Sequence, residues 1–310
     1  MLKKYINPKF IIILSSILAI DELLNDLFYS THNFSVMEIK QLFDPLNLDL
    51  AFNHHYRYNG LNYINAIFYL LLLLGVIAFV ASKNKQSRLI QFVYSVIFFS
   101  NILAYVYSLL FYVFKVSFFR LELKNILLDI AFFSVQAIWI YVSYHVLQYF
   151  NERKELQCIE AEDGTGQTYF VTASIAQRWL HPVVDRLVTL VLFSPIIDFF
   201  MNLNIKNFTN AAILPATILF SILFYYLLYE TVLGITPAKL ITQTRVVGYN
   251  YKKPSFKTIF IRTICRLVPF EAFSFFAEDG WHDKWSQTVV VKEQDISLPI
   301  QTPSVEYIKA

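Results

Sequence analysis

The stretch QRWLHPVVDR at positions 177–186 leads directly into the apolar run LVTLVLFSPIIDFF at positions 187–200. Arg178 and Asp185 lie seven positions apart, almost two turns of an α-helix, so both side chains project from nearly the same face. We predict that Arg178 lies near the water boundary of a membrane helix and that Asp185 is carried toward the hydrocarbon. An ionisable side chain at that depth requires a partner or a function. The start of this helix is therefore a candidate functional site.

The composition of the chain is that of an integral membrane protein. Of its 310 residues, 56% are hydrophobic, 17% are aromatic and only 16% are charged, whereas soluble domains carry about 25% charged residues. The mean hydropathy is +0.47. Cys158 and Cys265 are predicted to be free thiols, and two cysteines alone make no metal site. His54 and His55 are predicted to belong to an ordinary loop, because no second histidine follows at metal-ligand spacing.

A membrane-spanning helix needs about 20 apolar residues, and the sequence predicts six of them. The first is interrupted by DELLND at positions 21–26, which we interpret as the acidic outer end of an uncleaved helix. The predicted fold class is an all-α membrane protein, a polytopic bundle of about six transmembrane helices with a small cytoplasmic β element and an interfacial amphipathic helix. The predicted spans are Pro8–Tyr29, Tyr63–Ala81, Leu89–Val113, Asn125–Leu147, Val183–Met201 and Ala211–Tyr229.

The basic residues predict the orientation of these spans. They cluster before the first span, between the second and third, after the fourth and after the sixth, which by the positive-inside rule predicts that both termini lie in the cytoplasm. We expect the membrane to be the cytoplasmic (inner) one. Lys115, Arg120 and Lys124, assigned outside, argue mildly against this orientation, and the outer loop MNLNIKNFTN argues for it. The residues used are Lys3, Lys4, Lys9, Lys83, Lys85, Arg88, Arg153, Lys154, Lys239, Arg245, Lys252, Lys253 and Lys257.

The chain is predicted to divide near residue 150. Residues 1–150 form a membrane region of four helices, 151–172 a cytoplasmic hairpin, 173–292 a second membrane domain and 293–310 a C-terminal tail. In the hairpin, the alternating runs LQCIEA and TYFVTA flank a turn that contains glycine. The runs TQTRVV and SQTVVV also alternate. We predict that they pair with each other, and as one alternative also with the hairpin, to form a small sheet over the start of the helix that carries Arg178.

The segment Phe256–Phe276 is apolar enough to suggest a seventh span, but Arg262, Arg266, Pro269 and Glu271 interrupt it. The two arginines are four positions apart and share one helical face. We interpret the segment as an interfacial or re-entrant amphipathic helix in contact with the lipid bilayer.

Three blocks of the C-terminal half carry a family resemblance. Arg178 precedes a helix that contains Asp185, YETVLGITPAKLITQTRVV follows at positions 229–247, and GWHDKWSQTVV follows at positions 280–290 after two arginines. In this order they resemble the RDD family of membrane proteins. The second block looks like that family's Thr-Pro-Gly-Lys loop and the third like its closing His-Asp-x-x-x-x-Thr-x-Val pattern, so Asp283 would be its second named aspartate. The resemblance covers about residues 172–292.

Two departures from the family pattern carry structural expectations. Pro182 is typical of the first turn of a helix, which would place Asp185 only one turn deep. Ala238 stands where the family has glycine, so a turn with positive φ is disfavoured. A close approach of the backbone to an anion at Lys239 is therefore not expected.

The candidate residues allow two interpretations. Burial favours the neutral acid of Asp185 and nearby arginines favour its carboxylate, so this group is suited to exchanging a proton for a cation. Alternatively, the arginines and aspartates form an ion-pair network that fixes the cytoplasmic segments to the bundle. Asp198 lies 13 positions beyond Asp185, near the outer surface and on another face. The full candidate set is Arg178, Asp185, Arg186, Asp198, Glu230, Lys239, Arg262, Arg266 and Asp283.

The sequence gives little support to an enzyme. It contains no Gly-rich phosphate loop, metal-spaced His/Cys set or nucleophile elbow, and no cofactor or nucleic-acid partner is expected. The first hypothesis, which rests on what the resemblance implies, is transport of a small ion or solute, most concretely cation/proton exchange. The second is a membrane scaffold whose sheet recruits a cytoplasmic or membrane protein partner. A third role is contact of Lys252, Lys253 and Lys257 with anionic lipid headgroups.

Overall fold

The computed structural model describes residues 6–28, 45–46, 59–118, 123–160, 168–202, 210–268, 280–295 and 307–308. They fall into two compact units that divide after Asn151. His54 and His55 and the outer segment around them lie outside the described residues, apart from Pro45 and Leu46.

The first unit consists of four helices within the described residues. The helix α3 (Arg88–Phe118) packs against α2 (Asn59–Ala81) and α4 (Leu123–Asn151), and α1 (Pro8–Phe28) packs against α2. The run of α3 from Ile90 to Asn101 is buried, and its Tyr94 hydroxyl lies 3.1 Å from the Ser15 hydroxyl of α1. Gln136 of α4 is also buried.

A short piece of the α1–α2 connection is held inside this unit. Leu46 is fully buried, and its backbone N–H donates to the Tyr69 hydroxyl at 3.3 Å. The Asn101 side chain donates to the Pro45 carbonyl at 2.7 Å. Polar side chains inside the bundle thus satisfy backbone groups that would otherwise be buried without partners.

The second unit contains the remaining elements. In chain order they are β1 (Lys154–Leu156), β2 (Cys158–Glu160), β3 (Thr168–Val171), α5 (Ile175–Asn202), α6 (Asn210–Leu228), a π-helical turn (Tyr229–Leu233), α7 (Pro237–Thr242), β4 (Thr244–Gly248), α8 (Phe256–Cys265), α9 (Trp281–Ser286), β5 (Thr288–Asp295) and β6 (Tyr307–Ile308).

Within the described residues, four helical segments are long and apolar enough to cross a membrane. They are Ile64–Ala81, Arg88–Val106, Ile130–Asn151 and Leu214–Leu233, and they coincide with four of the six predicted spans. The other two predicted spans form the helices α1 and α5. Both are interrupted by charged residues, DELLND in α1 and Asp185-Arg186 in α5. Their crossing of the membrane stays a prediction.

The small strands form two antiparallel sheets. The runs TQTRVV and SQTVVV pair as predicted, because β4 lies against β5 with Arg245 opposite Val291, and β5 also pairs with β1 on its other side. The predicted hairpin is confirmed by the pairing of β2 with β3, and β3 continues to β6. The two sheets meet at the bridge between Thr172 and Val291.

The first sheet is joined by a buried carboxylate. Glu293 on the central strand β5 forms ion pairs with Lys154 of β1, at 3.6 Å, and with Arg245 of β4. One acidic side chain therefore holds both neighbouring strands.

The helix α5 begins directly after the sheet, at a reciprocal cap. The Ser174 hydroxyl accepts a hydrogen bond from the Gln177 backbone at 3.3 Å, and the Gln177 side chain accepts one from the Ser174 N–H at 3.0 Å, which is a capping box. The expectation that Pro182 marks the first turn is therefore wrong. The helix starts at Ile175, so Asp185 lies almost three turns inside it, at about 3.6 residues per turn.

Candidate functional site

Asp185 is fully buried and is held by neutral donors. Its Oδ1 accepts a hydrogen bond from the Tyr225 hydroxyl of α6 at 2.8 Å and another from the Ala238 N–H at 3.1 Å. Within the described residues no cation lies at ion-pair distance from it. The heptad spacing from Arg178 therefore does not produce an Arg178–Asp185 pair.

The contact with Ala238 corrects an expectation. Ala238 is the second residue of α7, which begins with Thr236 as N-cap and Pro237 in the first turn. The N–H groups of a first helical turn have no partner within the helix and favour negative charge. The first turn of α7 therefore brings a backbone N–H against the Asp185 carboxylate. The expectation that such a close approach needs a glycine with positive φ is wrong.

Glu230 is the centre of a cluster of positive charges. It is buried in the π-helical turn that follows α6. Its Oε1 accepts from Lys239 Nζ at 2.9 Å and from Arg266 Nη2 at 2.7 Å, and its Oε2 lies 3.6 Å from Arg262 Nε. One carboxylate thus contacts three cations, which come from α7, α8 and the residue after α8.

The π-helical turn ends at Gly234. Gly234 adopts the left-handed conformation with φ 73°, and its N–H donates to the Tyr229 carbonyl at 3.1 Å. A side chain is disfavoured at this φ. π-Helical turns occur frequently at functional sites, and this one carries Glu230 at its second position.

Asp283 is the second ion-paired carboxylate. Arg262 Nη1 donates to Asp283 Oδ1 and to the Thr288 hydroxyl. Although burial alone would raise the pKa of Asp283, the Arg262 guanidinium holds this pKa well below its ordinary value. His282 and Arg178 contribute in the same direction. Arg262 therefore connects Glu230 and Asp283, and we call Glu230, Lys239, Arg262, Arg266 and Asp283 the buried charge network.

The cations of the network differ in their surroundings. Lys239 is fully enclosed, and burial lowers the pKa of its ammonium group while Glu230 opposes this change. Arg266 lies over the ring of Tyr226, with its guanidinium carbon 3.9 Å from the ring centroid. This cation–π contact adds to the ion pair that Arg266 makes with Glu230.

The remaining predicted residues are Arg178, Arg186 and Asp198. Arg178 is buried and acts on Asp283 through its charge. Arg186 is exposed and makes no ion pair within the described residues. Asp198 lies in α5, but its side chain is outside the description.

His181 belongs to this region although the sequence did not single it out as a site residue. Its Nε2 lies 2.8 Å from the Thr242 hydroxyl and 3.1 Å from the Thr244 hydroxyl. Burial, reinforced by the positive charges of the network, lowers the pKa of His181 to about 2. The ring is therefore neutral at any physiological pH. The sequence signal that could have identified His181 was its position four residues before Asp185.

Acidification is expected to destabilise the protein through His181. An unfolded histidine takes up a proton below about pH 6.5, whereas the folded one does not, so folding stability falls as the pH decreases below that value. Between about pH 7.5 and about pH 5 the loss should be about 2 kcal/mol. Thermal unfolding of wild type and His181→Gln at both pH values measures this difference. An identical pH dependence in the two proteins would contradict a neutral buried ring.

The region that contains these residues matches a known protein family. Residues 172–287 match the model of the RDD family, which confirms the resemblance predicted from the three sequence blocks. The matched segment contains Asp185 and every member of the buried charge network. No curated protein and no solved structure matches the chain.

Proposed function

Since its residues 172–287 match the RDD family model, we propose that this chain is a membrane protein that exchanges a small cation for a proton, with Asp185 as the exchanging group. The observation that carries the proposal is the difference between the three buried carboxylates. Glu230 and Asp283 are neutralised by ion pairs. Asp185 is equally buried but forms no ion pair within the described residues: the hydroxyls of Tyr225 and Thr236 and a backbone N–H hold it, and Lys239 acts on it only from beyond ion-pair distance.

This difference gives Asp185 a chemistry that the other two lack. A buried carboxylate without an ion-paired cation is costly in its charged form. Either a proton or an incoming cation neutralises it, and the two compete for the same oxygens. Glu230 and Asp283 already have internal cations and gain little from an external one. Of the three, Asp185 is therefore the group suited to alternating between a proton and a cation.

The membrane arrangement that we propose follows the basic residues and the apolar helices. The four apolar helical segments support a polytopic protein, and we propose that α1 and α5 complete six spans. The positive-inside rule supports cytoplasmic termini in the inner membrane. In this arrangement the sheets and the charge network belong to the cytoplasmic side.

The test of exchange uses Asp185→Asn. The asparagine side chain keeps an oxygen that accepts from Tyr225 and from the Ala238 N–H, so its contacts are retained while its titration is lost. Purified protein in liposomes with an enclosed pH-sensitive dye should give a proton response to a sodium or potassium gradient. We expect this response to vanish in Asp185→Asn.

The matched control is Asp21→Asn, which removes an exposed acid of α1 and should leave the response unchanged. Equal responses of wild type and empty liposomes would remove cation/proton exchange. A response that persists in Asp185→Asn would place the exchanging group elsewhere.

A second candidate function is a membrane scaffold. The ion pairs that Glu230 and Asp283 each form with basic residues favour it. These contacts connect the end of α6 with α7, α8 and α9. Breaking a buried pair is strongly destabilising, so the network has a structural role whether or not ions move. A scaffold predicts a protein partner on the small sheets and no proton response in liposomes.

A further inference from the structure

The helix α8 has two chemically different faces, and the apolar face is the exposed one. Arg262 on its inner face is buried in the charge network. Phe256, Phe260 and Ile264 follow at intervals of four and are 60%, 46% and 44% exposed. This spacing places them on one face, and the rings of Phe256 and Phe260 are stacked, with centroids 6.3 Å apart.

The neighbouring helix α9 repeats this arrangement. It packs against α8 and turns Asp283 into the network, where Asp283 pairs with Arg262. Trp281 and Trp285 are 38% and 52% exposed. Their rings are stacked, with centroids 6.0 Å apart. Both helices therefore direct one charged side chain, Arg262 or Asp283, inward into the network and their aromatic side chains outward.

Among the described residues, the exposed charges on and beside these two helices have one sign. Lysines stand on the loop before α8, on α8 and on α9, and all of them are exposed. In the described residues 249–268 and 280–286 the only acid is Asp283, which is buried. The exposed charge that these ranges present is therefore positive. The lysines are Lys252, Lys253, Lys257 and Lys284.

We propose that the exposed sides of α8 and α9 form one lipid-contacting surface, which lies in the boundary between the headgroups and the acyl chains of a bilayer containing anionic lipid. We call it the α8–α9 aromatic surface, made of Phe256, Phe260, Ile264, Trp281 and Trp285. Tryptophan is enriched at this depth, and phenylalanine and isoleucine on a surface helix are buried a few ångströms into the acyl boundary.

The charge pattern favours a bilayer over a protein as the occupant. Anionic headgroups attract nearby lysines, whereas lysine is depleted at protein–protein interfaces. The surface also explains why Arg262 of α8 faces inward. Contact with lipid on one side and ion pairs on the other fix the rotation of α8 about its axis. None of this depends on cation exchange.

Quenching of tryptophan fluorescence by brominated lipids tests the surface. The full chain is reconstituted in nanodiscs whose lipids carry bromine close to the headgroup or close to the chain end. The contribution of Trp281 and Trp285 is the difference between wild type and the Trp281→Phe/Trp285→Phe variant. We expect this contribution to be quenched strongly by the shallow bromine and weakly by the deep one.

A second variant tests the lysines while both tryptophans stay in place. In Lys252→Gln/Lys253→Gln/Lys257→Gln, the increase in shallow quenching that anionic lipid produces should be smaller than in wild type, with little change in neutral lipid. Absence of quenching at both depths would overturn the proposal and point to a protein on this surface. Stronger quenching by the deep bromine would also overturn it, because the helices would then lie within the hydrocarbon. Either result leaves the exchange proposal untouched.

Discussion

Replacing Arg262 with glutamine is expected to destabilise the second unit by about 3–5 kcal/mol, the usual cost of removing one partner from a buried ion pair. Arg262 is almost completely buried and serves two carboxylates, Asp283 directly and Glu230 at 3.6 Å. Glutamine can replace a hydrogen bond but not the charge. Asp283 would then remain buried as an anion without its cation, or would have to take up a proton.

The buried thiol of Cys265 offers a local measurement of this effect. Cys265 ends α8, three positions after Arg262, so a thiol-reactive dye reports opening of the helix in a Cys158→Ser background. When the labelling rate is proportional to the population of the open state, a loss of about 3–5 kcal/mol of stability raises the rate of Cys265 labelling by about a hundred- to a few-thousandfold. Arg186→Gln, which removes an exposed arginine of α5, should label like the parent protein. Equal rates for Arg262→Gln and the parent would show that the pairs contribute no stability.

Replacing Glu230 with glutamine should have a comparably large effect for the opposite reason. The substitution leaves Lys239, Arg262 and Arg266 buried or half-buried around a neutral side chain. Like charges then repel each other in a medium where screening is weak. We expect a loss of about 3–5 kcal/mol, measured by the same labelling of Cys265.

A double-mutant cycle separates this repulsion from simple loss of packing. Lys239→Met removes one of the three cations and leaves an apolar chain of similar length. If the charges are coupled, Glu230→Gln/Lys239→Met should be more stable than the sum of the two single effects, by about 1–3 kcal/mol. Strict additivity of the two substitutions would mean that Lys239 and Glu230 contribute independently, despite the 2.9 Å between their atoms.

The sequence was sufficient for the six long helices, for the hairpin and for the pairing of β4 with β5. Long apolar runs predicted the positions of α1 to α6 to within several residues, and alternation predicted that β4 and β5 pair. The order of three short blocks indicated the family. These signals are short motifs or regular spacings of apolar residues, and both can be read directly from one amino-acid sequence.

The contacts of the site could not be predicted in the same way. The heptad between Arg178 and Asp185 describes positions on one helix, whereas the partners of Asp185 come from α6 and α7. The amphipathic pattern of α8 showed that Arg262 and Arg266 share a face and predicted contact with lipid, but it did not identify Glu230 and Asp283 as the partners of these arginines.

The pairing of the strands has a consequence for biosynthesis. β5 is the central strand between β1 and β4, yet it is made after both of them, and Asp283 precedes it by only a few residues. During translation the π-helical turn leaves the ribosome with Glu230 before α8 supplies Arg262. The nascent second unit therefore waits with Glu230 incompletely paired and with both edge strands open. Such long-range closure is slow, so chaperoning by the insertion machinery would matter most in this interval.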